Sequence, residues 1–165
     1  QLQDFNITPP IFLRKIQSRA RWNPECSSIE DKVKKIVEGV FNEEIYSIWQ
    51  INSNEDFYGF VASISSTRNP RNQDIDFISI TNEELQESNI QVQQINEGNC
   101  LAVQNLHYNA SIDNHQAIAL CQILVNRNRQ AQRCKKKRQT ESILEYQRQK
   151  GCFAVAEDSK SCICR

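Results

Sequence analysis

Basic side chains form the densest group of chemically active residues in this sequence. Seven of them fall between positions 127 and 138, and no acidic residue interrupts them. They are Arg127, Arg129, Arg133, Lys135, Lys136, Lys137 and Arg138. On a helix, these bases would surround the axis and could follow a phosphate backbone or an acidic protein surface. Arg14, Lys15, Arg19 and Arg21 would extend this surface if the two segments were neighbours. A helix that is merely solvated is the alternative.

Cysteines near the C-terminus form a second group, which consists of Cys134, Cys152, Cys162 and Cys164. A structural zinc ion needs four nitrogen or sulfur ligands in a closed tetrahedral site. The spacing here lacks the paired CxxC motifs that are typical of such sites. Zinc, a disulfide that involves the tail, and thiols that take part in neither therefore remain alternatives.

A third group joins Cys100 to two histidines, His107 and His115. A thiol beside an imidazole base could act as a nucleophile. However, seven residues of extended strand span about 23 Å, so Cys100 and His107 would meet only if the chain folded back between them. These residues are the weak catalytic candidates of the chain. It contains no P-loop, GxGxxG, HExxH or GxSxG motif, which removes the commonest nucleotide-binding, zinc-protease and serine-hydrolase signatures.

The composition predicts a soluble globular chain of one domain. It has 165 residues, of which 39% are hydrophobic and 24% charged, as in ordinary domains of this size. No apolar run approaches the ~20 residues of a membrane span. Seven cysteines are an odd number, and the apolar content does not require disulfides, which favours an intracellular location. The net charge of zero hides a split, because residues 1–125 carry 16 acids and 9 bases, or −7, and residues 126–165 carry +7. Such a split indicates either an anionic partner or a basic segment that folds back onto the acidic part of the chain.

Helical patterns occur along the whole chain. Thr8 before two prolines predicts a helix start, with Phe12, Leu13, Ile16 and Ala20 following at helical spacing. A capping box at Ser27–Glu30 precedes the clearest stripe of the sequence. The stripe consists of Ile29, Val33, Ile36, Val37, Val40 and Phe41. Further caps at Ser53, Thr81 and Asp113 predict three more helices, although a hairpin competes with the first of these. The last helix is predicted to carry the basic residues and to end near Gly151.

Strands are predicted over 44–51, 74–80, 90–95 and 100–108, the last two joined through a loop at 96–99. Helices and strands therefore interleave. We predict an α+β fold, with residues 1–151 as one domain that contains a mixed sheet of about four strands covered by helices. A long basic C-terminal helix and a cysteine-containing tail at 152–165 complete this prediction.

These patterns favour a non-enzymatic binding or assembly protein that contacts nucleic acid or an acidic protein surface through its basic helix. A small hydrolase, such as a nuclease, is an alternative of another class, since its site could be assembled from residues that spacing does not pair. A structural subunit of a larger complex is the third possibility. Zinc is the one cofactor that the sequence brings into consideration, and the oligomeric state is left open.

Overall fold

A computed structural model of the chain describes residues 1–66, 74–95 and 105–150. Six strands occur in these residues: β1 (Ile11–Ile16), β2 (Ile45–Ile51), β3 (Ile75–Ile80), β4 (Val92–Gln94), β5 (His107–Ser111) and β6 (Gln132–Cys134). Five α-helices accompany them: α1 (Ile29–Val40), α2 (Asn54–Ser66), α3 (Asn82–Glu87), α4 (Asn114–Asn126) and α5 (Glu141–Lys150). Short 3-10 turns cover Leu2–Phe5 and Arg19–Arg21, and a π-helical turn covers Lys136–Thr140.

The strands form one sheet in the order β4-β5-β2-β1-β3-β6. Every neighbouring pair is antiparallel. The chain is therefore a single α+β domain, as predicted, but the expectation of about four strands in mixed directions is wrong. The sheet has six strands because β1 and β6 join it on either side of β3.

Helices cover both faces of the sheet. Helix α2, helix α5 and the first 3-10 turn pack on one face, where Phe57, Phe60 and Leu144 belong to one apolar cluster. Helices α1, α3 and α4 pack on the other face, with Ile36 and Leu120 in the second cluster. All six residues of β3 are buried as a consequence. The sheet thus lies in the middle of a three-layer arrangement.

The predicted helix after Thr8 is a strand. Ile11 and Leu13 belong to one apolar cluster, whereas Phe12 and Ile16 belong to the other. A strand buried on both faces lacks the apolar-polar alternation of a half-exposed strand. This double burial explains why the pattern of β1 resembled a helix.

The predicted long basic helix does not form, and this changes the setting of every base in it. Helix α4 ends at Asn126, and Asn128 adopts a left-handed backbone with φ of 55°. The chain then enters β6, passes through the π-helical turn and starts α5 as a separate helix. The region from 127 to 138 is therefore a loop, an edge strand and a turn.

Most of the other local predictions are confirmed. Thr81 and Asp113 cap α3 and α4 through complete capping boxes. The box predicted at Ser27–Glu30 is displaced by one residue, because Ser28 caps α1 by accepting the Asp31 N–H. Strands β2, β3 and β4 fall within their predicted spans, and β4 pairs with β5. Strand β5 covers His107–Ser111 and so overlaps the strand predicted over 100–108 by two residues only. The loop at 67–72, the residues at 96–104, Gly151 and the tail at 152–165 lie outside the described residues.

Candidate anion-binding surface

Three segments carry the seven bases along the β6 edge of the sheet. The loop after α4 holds Arg127 and Arg129, β6 holds Arg133, and the turn before α5 holds the rest. In register, Ile16 of β1 lies opposite Asp76 of β3, which lies opposite Arg133 of β6. The edge strand therefore places Arg133 directly beside Asp76.

Glu84 forms ion pairs with both Arg127 and Arg129. Arg129 Nη2 lies 2.6 Å and Arg127 Nη1 3.3 Å from Glu84 Oε1, and the Thr81 N–H donates to Oε2 over 2.8 Å. Only 1% of the Glu84 side chain is exposed, so both oxygens of a buried carboxylate have partners. Arg127 also binds Glu87 at 2.8 Å. Hydrogen bonds from Arg127 to Glu87 and Glu84 raise the pKa of this guanidinium.

Two further bonds fix Arg129 and its backbone to the domain. Its Nη1 donates to the Ser79 carbonyl of β3 over 2.7 Å. The indole Nε1–H of the buried Trp22 donates to the Arg129 carbonyl over 2.8 Å. Both the side chain and the main chain of Arg129 are thus bonded to the rest of the domain.

Asp76 forms a bidentate ion pair with Arg133. Two guanidinium nitrogens donate to its two oxygens over 2.7 and 2.8 Å, and the Arg19 N–H donates over 2.9 Å. Burial alone would raise the pKa of Asp76, but the hydrogen bonds and positive charges of Arg133 and Arg19 outweigh it and keep the pKa below its ordinary value. Asp74 lies 3.6 Å from Arg133 Nη1. The first three bases are therefore docked onto carboxylates of the domain.

The remaining bases, Lys135, Lys136, Lys137 and Arg138, form what we term the basic turn. Lys135, Lys137 and Arg138 are exposed and Lys136 is half-buried. Within the described residues, none of these four side chains takes part in an ion pair. Four cationic groups in one turn repel one another unless an anion lies between them.

The backbone of the basic turn is nevertheless well anchored. The Lys136 N–H donates to Asp74 over 2.7 Å, and the Lys135 N–H donates to the Gln139 side chain over 2.8 Å. The N–H groups of Gln139 and Thr140 both donate to the Lys135 carbonyl. These bonds fix the points from which the four side chains extend, so the backbone loses little entropy when a ligand binds.

A pocket of about 440 Å³ opens beside Arg138. Its wall includes Tyr58 of α2 and Tyr146 of α5, whose rings meet edge-to-face with centroids 5.2 Å apart. Asp4 and Glu55 also line it, and the Tyr146 hydroxyl donates to the Glu55 carboxylate. We term this cavity the tyrosine pocket.

The other candidate side chains within the described residues take no part in this surface. Cys134 is fully buried, its Sγ 3.3 Å from Thr140 Oγ1, and burial raises the pKa of its thiol to about 11. His107 of β5 stacks on Trp49 with ring centroids 5.1 Å apart, whereas His115 is exposed in the first turn of α4. Cys100, Cys152, Cys162 and Cys164 lie outside the described residues, so the thiol-imidazole, zinc and disulfide hypotheses stay predictions.

Two further findings concern metals and membranes. Among residues 1–66, 74–95 and 105–150, no three His, Cys, Asp or Glu side chains are grouped so that they could hold a metal ion. In the same ranges, no helix is long and apolar enough to cross a membrane.

Sequence reasoning missed the carboxylates that receive the arginines and the tyrosine pocket. Arg129 and Glu84 are 45 residues apart, and Tyr146 and Glu55 are 91 residues apart. Local spacing carries no signal for such contacts. The −7 charge of residues 1–125 was the one sequence feature that pointed to internal docking.

Comparison with protein-family models, with curated proteins and with solved structures found no match to this chain.

Proposed function

We propose that this chain is a binding protein that contacts an anionic partner through the basic turn. The observation that carries the proposal is the division of the seven bases. Arg127, Arg129 and Arg133 have carboxylate partners in the domain, whereas the four bases of the basic turn form no ion pair within the described residues. The domain thus uses three of the seven bases for its own structure.

The physical argument is electrostatic. The four consecutive bases, three of them exposed, raise the local potential and attract polyanions, and each contact with a phosphate releases a counterion. The rigid backbone of the turn keeps these charges together. A nucleic acid and an acidic protein surface both carry the negative charges that would bind to these four bases.

The test is a salt titration of polyanion binding. Fluorescence anisotropy would measure the affinity for a labelled single-stranded oligonucleotide and for heparin at several salt concentrations. For the variant K135Q/K136Q/K137Q we expect weaker binding to both probes. The slope of log affinity against log salt should become shallower by about two to three units, since each lost phosphate contact removes ~0.7–0.9.

The matched control is K32Q/K34Q/K35Q, which removes three positive charges from α1. This control should bind as the parent does, because its lysines lie on another surface. Equal losses in both triple variants would indicate a non-specific effect of net charge and would contradict the proposal. Absence of binding by the parent at low salt would also contradict it.

A further inference from the structure

The tyrosine pocket adjoins the basic turn, and the two together describe a more specific partner. Arg138 belongs to both, since it ends the turn and lines the pocket. Lys135, Lys136 and Lys137 directly precede Arg138 in the chain, so a ligand that extends beyond the pocket at Arg138 enters the neighbourhood of the basic turn. Such a ligand needs a part that suits an aromatic cavity and a connected part that is anionic.

Tyr146 offers an aromatic surface in a fixed orientation. Its ring is held by the edge-to-face contact with Tyr58 and by the hydrogen bond to Glu55. The side chain is half-buried and lines the pocket. Flat heterocycles stack on such rings regardless of their identity, and this is how proteins bind unpaired bases.

The charged groups that line the pocket decide which part of the ligand enters. Asp4 and Glu55 contribute carboxylates, Arg138 contributes a guanidinium, and the N-terminal ammonium of Gln1 lies 2.8 Å from Asp4. Groups of both signs suit the mixed donors and acceptors at the edge of a base better than a phosphate, which offers acceptors alone. The volume of about 440 Å³ falls within the range of small-ligand pockets. A base therefore fits inside, and its phosphates fit outside on the lysines.

We propose that the chain binds single-stranded nucleic acid, with one base in the tyrosine pocket and the adjoining phosphates on Lys135, Lys136 and Lys137. This inference rests on the proposed function and adds to it the class of partner. An acidic protein surface would satisfy the lysines but would not need an aromatic cavity beside them. A base in a duplex would be stacked and unable to enter.

The experiment compares two oligomers of equal length and charge, because they differ only in their bases. One is a labelled single-stranded oligonucleotide of about twelve nucleotides, and the other is its abasic counterpart. The parent should bind the oligonucleotide about 5- to 100-fold more tightly, the range expected for stacking of one base. A duplex of the same sequence carries about twice the charge and gains affinity for that reason alone. Its affinity should not change in Tyr146→Leu, because its bases stay stacked.

Three variants assign the effect to the pocket. Tyr146→Leu should remove the preference for bases and leave the affinity for the abasic oligomer unchanged. Tyr146→Phe keeps the ring and should retain at least part of the preference. K135Q/K136Q/K137Q should weaken the binding of both oligomers by similar factors. Thermal unfolding of each variant would show that the domain remains folded.

The outcomes separate this inference from the proposed function. If both oligomers bind with equal affinity and both lose affinity in K135Q/K136Q/K137Q, the base pocket is overturned. The proposal of an anionic partner would still stand. Tighter, Tyr146-dependent binding of poly-glutamate would overturn nucleic acid in favour of an acidic protein. Failure to bind any polyanion would overturn both.

Discussion

Glu84 shows how one buried side chain can organise a distant segment. Removing a carboxylate from water is costly unless its oxygens find donors and a counter-charge. Here the Thr81 N–H, Arg127 and Arg129 supply both. The same carboxylate completes the cap of α3, so a local capping motif and a contact across 45 residues share one group.

Glu84→Gln should therefore destabilise the fold. The amide keeps the shape but leaves two guanidinium groups facing a neutral side chain, and breaking a buried pair of this kind costs about 3 kcal/mol. Glu87→Gln is the matched control, because Glu87 binds Arg127 at the surface with 46% of its side chain exposed. Its cost should stay below ~1 kcal/mol. Urea unfolding would measure both, and equal costs would contradict the role of Glu84.

Asp76 predicts the acid sensitivity of the domain. Its pKa is lower in the folded chain than the ordinary value near ~3.9. The unfolded chain then binds more protons than the folded one over the interval between these two values, so acidification favours unfolding there. The contribution of Asp76 is present above the ordinary pKa and is lost as the pH falls through the folded pKa.

In Asp76→Asn this dependence should disappear. The free energy of unfolding of the variant should be lower at neutral pH, and should fall less steeply than that of the parent between about pH 4 and pH 2. Urea unfolding at a series of pH values gives both slopes. Parallel slopes would show that Asp76 titrates alike in the two states.

At the scale of elements, predictions from the sequence succeeded where the signal was local. The capping boxes at Thr81 and Asp113 and the stripe of α1 specify helices by contacts within a few residues. They failed where the environment was decided by distant residues. Burial of both faces disguised β1, and the three residues of β6 gained their strand conformation from pairing with β3.

Helix α1 provides a test of the stripe, since its members are not equally buried. Ile36 is 0% exposed and Ile29 is 56% exposed. Ile36→Ala should cost roughly 2–5 kcal/mol because it leaves a cavity in the core. Ile29→Ala, at the start of the same helix, should cost less than ~0.5 kcal/mol. Chemical denaturation of both variants would show whether burial rather than helix position sets the loss.

The whole molecule has no net charge, but its acidic and basic regions meet at one edge of the sheet. The acidic part of the chain receives Arg127, Arg129 and Arg133, and the basic turn extends from the same edge with three of its four bases exposed. The sequence showed an acidic region and a basic region, but not which carboxylates would pair with which bases. The register of β3 with β6 places Arg133 beside Asp76, and the loop after α4 places Arg127 and Arg129 beside Glu84.

Two variants that each remove three positive charges should therefore behave in opposite ways. R127Q/R129Q/R133Q leaves Glu84 and Asp76 without their guanidinium partners, and should lower the free energy of unfolding by at least about 3 kcal/mol. If this variant fails to fold, R133Q alone should show the same direction with a smaller loss. K135Q/K136Q/K137Q should change stability by less than ~0.5 kcal/mol, because surface charges without ion pairs contribute little. Urea unfolding in low and high salt would measure the stability of both variants. Similar losses of unfolding free energy would show that the lysines also have a structural role. The division between docked and outward-facing bases would then be wrong.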